Sequence, residues 1–364
     1  MECPHILEIS YGDFSERLHK KMAEKRIPLG GGIELTFRCN VRCDHCYIDH
    51  NDLQKELTYE EICAILDQAV EEGCLWLLIT GGEPLVRKDF VDIYTYAKKK
   101  GMLITLFTNG TLIDEGLADY LQDWRPFSVE ITLYGITQET YEKVTGVRGS
   151  FKRCMEGIHN LLERNISLKL KTMVMTLNKH ELYDMKKYAE DLELDFRYDP
   201  VLNPMLNGSN KPAEVAITPE EVVELDVNDQ KRLESWQRFG EKFWGPPTNF
   251  EYLYNCGAGI SSFHVDPYGK MSVCILSREP SYDLRQGPFR KGWFELFPQI
   301  RAEKRKKNHP CAYCEKIALC GQCPGWARLE HGDPEKPVDY LCRIANLRAK
   351  AFGLNEPRKK EVIK

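Results

Sequence analysis

Residues 33–46 read IELTFRCNVRCDHC, and this stretch decides the fold. Ile33–Phe37 is an apolar run of the kind that forms a buried strand. Directly after it stand Cys39, Cys43 and Cys46, spaced C-x3-C-x2-C on one short loop. Three thiolates so placed can take three corners of a tetrahedral metal or of an iron–sulfur cubane. They leave one metal position open, the layout of a reactive rather than a structural site. Zinc, or loop thiols without a ligand, also fit the spacing.

Outward from this loop the chain alternates between apolar runs and amphipathic stretches. Further strands are expected at Leu75–Thr80, Leu103–Thr108, Ser128–Leu133, Ser167–Met175 and Asp195–Val201. Helical patterns lie between them: Thr58–Glu71, opened by a Thr58…Glu61 capping box, then Lys88–Lys99, Asp114–Gln122, Phe151–Arg164 and Lys179–Leu192. Six strand–helix units in series predict a parallel α/β winding. Six is short of eight, so the expected fold is a partial (β/α)6 TIM-type barrel with its site at the C-terminal strand ends. Gly81-Gly82-Glu83-Pro84, Thr108-Asn109-Gly110 and Thr132-Leu133-Tyr134-Gly135 follow strands two, three and four, so four motifs face one mouth. The glycines can admit a ligand close to the backbone, and Glu83 offers a carboxylate to a cationic amine. Taken alone, that stretch reads as a tight turn.

Near residues 203–250 the pattern breaks into turn formers, with a charged helical bridge at Pro219–Lys242. From Asn255 the chain is rich in Cys and Gly, with short strand-like runs at Ser262–Asp266 and Met271–Leu276. Such a segment is expected to fold around metal. The spacing Cys311-x2-Cys314-x5-Cys320-x2-Cys323, with Cys256, Cys274 and Cys342, admits zinc or iron–sulfur ligation.

The 364 residues are 42% hydrophobic and 29% charged with a net charge of −5, which excludes disordered and fibrous classes and gives no electrostatic reason for a nucleic-acid or membrane partner. Fourteen cysteines are too dilute for a disulfide scaffold. There is no basic-then-apolar signal segment and no membrane-length apolar run. A reducing cytoplasmic location is expected, where thiols serve metals.

The three cysteines with Gly-Gly-Glu-Pro resemble the radical S-adenosylmethionine (radical SAM) enzymes, over about residues 30–235. The resemblance implies a [4Fe–4S] cluster on Cys39, Cys43 and Cys46 that binds S-adenosylmethionine and cleaves it reductively to a 5′-deoxyadenosyl radical. It implies cofactor contacts from Gly81, Gly82 and Glu83 to the amino group, from His45 with Tyr47 to the adenine, from Asn109 and Thr132 to ribose or carboxylate, and from Arg148 to the methionine carboxylate. Residues 250–345 resemble the SPASM extension of that family. This implies one auxiliary [4Fe–4S] cluster on Cys311, Cys314, Cys320 and Cys342. A second would lie on Cys256, Cys274 and Cys323, with Ser261 and Ser262 near the place of its absent fourth cysteine.

The implied division is an N-terminal extension (1–29), the barrel (30–235), a bridge (236–254), the auxiliary-cluster domain (255–345) and a C-terminal helix and tail (346–364). Cys63, Cys74 and Cys154 are expected to be small buried hydrophobes. The resemblance further implies an oxidoreductase that modifies a peptide or protein, similar to the maturase of pyrroloquinoline quinone. A separate leader-binding protein and an external donor such as flavodoxin or ferredoxin would serve it. Rival readings are a small-molecule substrate such as a tetrapyrrole side chain, and a zinc-stabilised non-catalytic protein. No general base stands out. Tyr198 and Asp199, at the end of strand six, and Tyr282 and Asp283, after Cys274, are candidates by location.

Overall fold

The structure, a computed structural model, describes residues 10–51, 54–247, 250–306 and 309–354. Cys3 and the basic tail therefore lie outside the described residues. After helix α1 (Tyr11–Glu24), six parallel strands run in chain order across one sheet: β1 (Gly30–Glu34), β2 (Trp76–Thr80), β3 (Leu103–Thr108), β4 (Ser128–Thr132), β5 (Leu168–Met173) and β6 (Asp195–Asp199). Between them lie α2 (Tyr59–Glu71), α3 (Phe90–Lys99), α4 (Glu115–Asp123), α5 (Gln138–Thr145), α6 (Ser150–Glu163) and α7 (Leu182–Asp191). The capping box of α2 is present in full, with Thr58 and Glu61 each satisfying the other's backbone N–H. Helix α5 has no counterpart in the expected pattern; it is short and its apolar stripe is brief, although Thr137 caps it.

Strand β1 begins three residues earlier than expected, on Gly30-Gly31-Gly32. Glycine is a poor strand former, and here the neighbouring strand β7 (Ser262–Val265) explains it. A Cβ on Gly31 would lie 2.2 Å from the Phe263 ring, and one on Gly32 would lie 2.9 Å from the His264 ring. Two side chains of β7 thus fill the space that β1 leaves.

Strand β7 comes from the Cys-rich segment and pairs parallel with β1. Strands β8 (Lys270–Ser272) and β9 (Tyr282–Asp283) continue antiparallel, giving nine strands in the order β6-β5-β4-β3-β2-β1-β7-β8-β9. The two edges do not pair with each other, so the barrel is partial and open. The sheet also runs straight across the boundary at residue 254. One face carries Ile33, Ile79, Leu106, Ile131 and Leu170 into the main core beneath the helices. The other, the lumen face, carries Glu34, Glu130, Lys171 and Arg197.

A second core lies beyond β6. It joins α8 (Pro219–Asn228) and α9 (Gln230–Phe243) to three later helices: α12 (Ile317–Cys320), α13 (Pro324–His331) and α14 (Asp339–Ala351). The composite helix formed by α10 (Phe289–Lys291), a π-helical turn at Gly292–Leu296 and α11 (Phe297–Arg301) packs Phe289, Trp293 and Phe297 into the main core instead. The C-terminal third therefore covers both edges of the sheet.

Candidate active site

The loop after β1 is braced from two sides. Asn109, just past β3, donates its amide to Asn40 Oδ1 at 2.8 Å and lies 3.8 Å from Cys39 Sγ. From the end of α5, Thr145 O accepts from Arg42 N at 2.8 Å. Cys46 N donates to Cys43 O at 3.1 Å, closing a turn that brings the thiols together. Burial pushes the Cys39 thiol up to about 11, with Glu83 and Cys46 adding to the effect. Cys43 is driven higher by burial, Cys46 and Cys39. Three thiolates this close oppose one another's charge. A cationic iron centre removes that opposition, so the donor set fits a metal cluster. Among the described residues, no three His, Cys, Asp or Glu side chains converge on a single-ion position.

The glycines after β2 have a use that sequence reading missed. A Cβ on Gly81 would sit 2.3 Å from Thr36 O, and one on Gly82 would sit 2.5 Å from Arg38 O. The close approach is to the chain's own cysteine loop, and Gly82 N and Glu83 N bond to Thr36 O and Arg38 O. Glu83 is fully buried and accepts from Asn109 N (2.7 Å), Leu85 N (3.1 Å) and Thr108 Oγ1 (2.9 Å). Burial outweighs these bonds and pushes its carboxyl up to about 7.

His45 is half-buried, packs edge-on to Tyr134 at 5.0 Å, and buries its Nδ1 without a partner; desolvation lowers it to about 4, so the ring is neutral. The side chain of Asn109 is spent on protein, its Oδ1 accepting from Thr111 N and Oγ1. Thr132 ends β4, half-buried. Arg148 is exposed in the turn before α6.

Tyr47 donates to Glu34 Oε1 at 2.9 Å, a contact that no local pattern signals. Glu34 is completely buried on β1 and also meets His264 (2.9 Å) and Arg278 (2.7 Å). Burial alone would raise its carboxyl, but His264 and Arg278 hold it below the usual range. The Arg278 contact is one of charge, since its terminal nitrogens make no aligned hydrogen bond. This network ties the Cys46 loop to the segment after Cys274.

The later cysteines fall into two groups. Burial raises the Cys323 thiol, and Cys274 and Cys256 are near enough to add to it. Burial pushes Cys320 up to about 12, with Cys342, Cys311 and Cys314 contributing. Each group draws on separate elements: Cys274 follows β8 and Cys323 caps α13, while Cys320 ends α12 and Cys342 lies in α14. Ser262 opens β7, and Ser261 O accepts from Gly30 N. Cys63, Cys74 and Cys154 are buried as expected, at 8%, 5% and 0% exposure.

The four base candidates do not share a site. Tyr198 and Asp199 lie on β6 and Tyr282 and Asp283 on β9, the opposite edges of the sheet. Tyr198 carries Arg232 over its ring at 4.4 Å, and Asp283 is paired with Lys270 at 3.0 Å. Tyr282 packs beneath Gly292 and Met271. These contacts are structural, and they leave the two pairs on separate elements.

The open barrel presents these thiols and glycine turns at the ends of its parallel strands. Residues 33–189 match the Radical SAM superfamily. The chain is 37% identical over 161 residues to the Fe-coproporphyrin III synthase of Methanosarcina barkeri, covering 44% of this chain and only 39% of that protein. It is 29% identical over 343 residues to the PqqA peptide cyclase of Bradyrhizobium diazoefficiens, covering 90% and 89%. In fold it resembles Streptococcus suis SuiB bound to precursor peptide SuiA, with a TM-score of 0.69, 17% identity, and 94% and 83% of the two chains covered. Residues 33–189 therefore form a radical SAM domain, and the chain is an enzyme.

Proposed function

We propose that this enzyme oxidatively modifies a peptide, using one S-adenosylmethionine-binding cluster and two auxiliary clusters of the SPASM type. The observation that carries the reading is the division of ten thiols by nearness into Cys39/Cys43/Cys46, Cys256/Cys274/Cys323 and Cys311/Cys314/Cys320/Cys342. When bound, the first cluster and S-adenosylmethionine supply a 5′-deoxyadenosyl radical that abstracts a substrate hydrogen, after an electron from a flavodoxin- or ferredoxin-type donor. The chain's own residues position and shield. Glu83 offers a carboxylate to the amino group, and His45 presents a neutral ring and an unpartnered Nδ1 toward the adenine. Thr132 and Arg148 serve ribose and carboxylate, while Asn109 holds the Cys39 loop in register. The match to the peptide cyclase over nine-tenths of the chain supports a peptide substrate, with a leader-binding protein as a further partner.

A second reading, a tetrapyrrole substrate, is favoured by the 37% identity to the coproporphyrin enzyme. Anaerobic incubation with dithionite and S-adenosylmethionine separates them, using either a PqqA- or SuiA-type precursor peptide or iron coproporphyrin III. The first reading expects 5′-deoxyadenosine and a peptide lighter by two hydrogens. Conversion of the porphyrin alone would establish the second. A colourless zinc protein making no 5′-deoxyadenosine would overturn both. Among the described residues no helix is long and apolar enough to cross a membrane.

A further inference from the structure

Strand β5 alternates: Leu168 and Leu170 enter the core, while Lys169, Lys171 and Met173 face the lumen. Lys171 pairs in register with Thr132 on β4 and with Arg197 on β6. Its Nζ lies 3.3 Å from Glu130 Oε2, and the same oxygen lies 2.6 Å from Arg197 Nη2. Lys171 and Arg197 therefore share one carboxylate oxygen, and Arg197 holds it more closely. Below Nζ is the face of Phe107, with the ring centroid at 2.7 Å. The Lys171 side chain is only 16% exposed.

We propose that Lys171 accepts the proton that a substrate releases when it is oxidised in the lumen. This rests on the reading of the chain as an oxidative radical SAM enzyme. Such an oxidation removes two hydrogens. One leaves as a hydrogen atom to the 5′-deoxyadenosyl carbon, breaking a substrate C–H bond. The remaining substrate radical then gives one electron to an acceptor of the iron–sulfur class and one proton to the neutral amine. An N–H bond forms as the second substrate X–H bond breaks, and the freed electron pair becomes the new substrate bond. Glu130 stabilises the resulting ammonium. The proton returns to solvent past Arg197, whose side chain is 62% exposed.

A base must be unprotonated before it acts. Burial does this for Lys171, lowering it to about 7, with Arg197 assisting and Glu130 opposing. The other charged groups on this face are spoken for: Lys169 pairs with Asp195 at 2.9 Å, and Asp199 accepts from Val201 N. Its register with Thr132 sets Lys171 beside the expected cofactor position, a place that Tyr282 and Asp283 do not share.

The first test needs no substrate. The purified full chain is trace-labelled with acetic anhydride from pH 6 to 11, and acetylation of each lysine is followed by mass spectrometry. Lys171 is expected to titrate near 7, well below the ordinary lysine range. A Lys171 midpoint near 10 overturns the proposal. The second test compares Lys171→Met and Lys171→Arg with wild type on whichever of the two probes the wild type converts. Product formed per 5′-deoxyadenosine should fall ~100-fold in both, and its rise with pH through 7 should vanish. Full rescue by arginine would show a role for charge alone and overturn the proposal, as would a wild-type pH profile in the methionine variant. If wild type makes no 5′-deoxyadenosine, the functional reading fails instead, and the labelling result still decides the state of Lys171.

Discussion

Glu83 and Gly82 show what single residues contribute. A carboxyl held up to about 7 by burial must lose its proton to receive an ammonium group. S-adenosylmethionine affinity should therefore rise about tenfold per pH unit up to 7 and level off above it. Calorimetric titration of the iron-loaded enzyme measures this, and Glu83→Gln should flatten the slope. A pH-independent wild-type affinity would remove Glu83 from the amino-group site. The sign for stability is the reverse: the folded chain binds this proton more tightly than the unfolded chain, so the contribution is lost as pH rises from about 4.5 to 7. Gly82→Ala places a methyl against Arg38 O and Phe37 O. It should cost about 1–3 kcal/mol and reduce bound iron, read by denaturant melts and iron assay. Unchanged stability and iron would show that the loop yields. The cysteines were legible because spacing and strand-end position are local properties. Glu34 was not legible, since its partner His264 stands 230 residues away. The lysines of β5 carried a readable period of two, obscured by the strand's overall apolar character.

Among elements, α8, α9 and α14 meet at one fully buried carboxylate. Asp226 accepts from Arg232 at 2.7 Å, Arg348 at 2.8 Å and Trp236 Nε1 at 3.2 Å. Asp226→Ala leaves two guanidinium groups without their shared counterion. It should destabilise the second core by about 3–5 kcal/mol, as an early transition in urea melts followed by tryptophan fluorescence. A single wild-type transition would contradict this. Helix α2 was readable from its Thr58…Glu61 box, whereas the charged stretch Pro219–Lys242 read as one helix and forms two, α8 and α9. The glycine-built start of β1 was not, because packing by β7 defines it, and α5 was not, because its eight residues carry too brief an apolar stripe.

At the scale of the whole molecule, the C-terminal third completes the barrel as well as holding its own thiols. Strand β7 covers the β1 edge, and the helices of the second core cover the β6 side. A chain ending at residue 254 would expose the paired groups of β1 and much of the second core. It should aggregate on expression, and a soluble, iron-binding 1–254 fragment would show the two parts to be independent. The partial barrel was legible from six repeated strand–helix units; the seventh strand was not, since it arrives after the pattern breaks.

The central claim is that ten cysteines form three cluster sites. Anaerobic iron and sulfide analysis of the reconstituted chain tests it most directly. The account predicts about 12 iron and 12 sulfide per chain, falling to about 8 of each when Cys39, Cys43 and Cys46 are replaced together by alanine. About 4 iron per chain, or zinc in place of iron at the later cysteines, would contradict it.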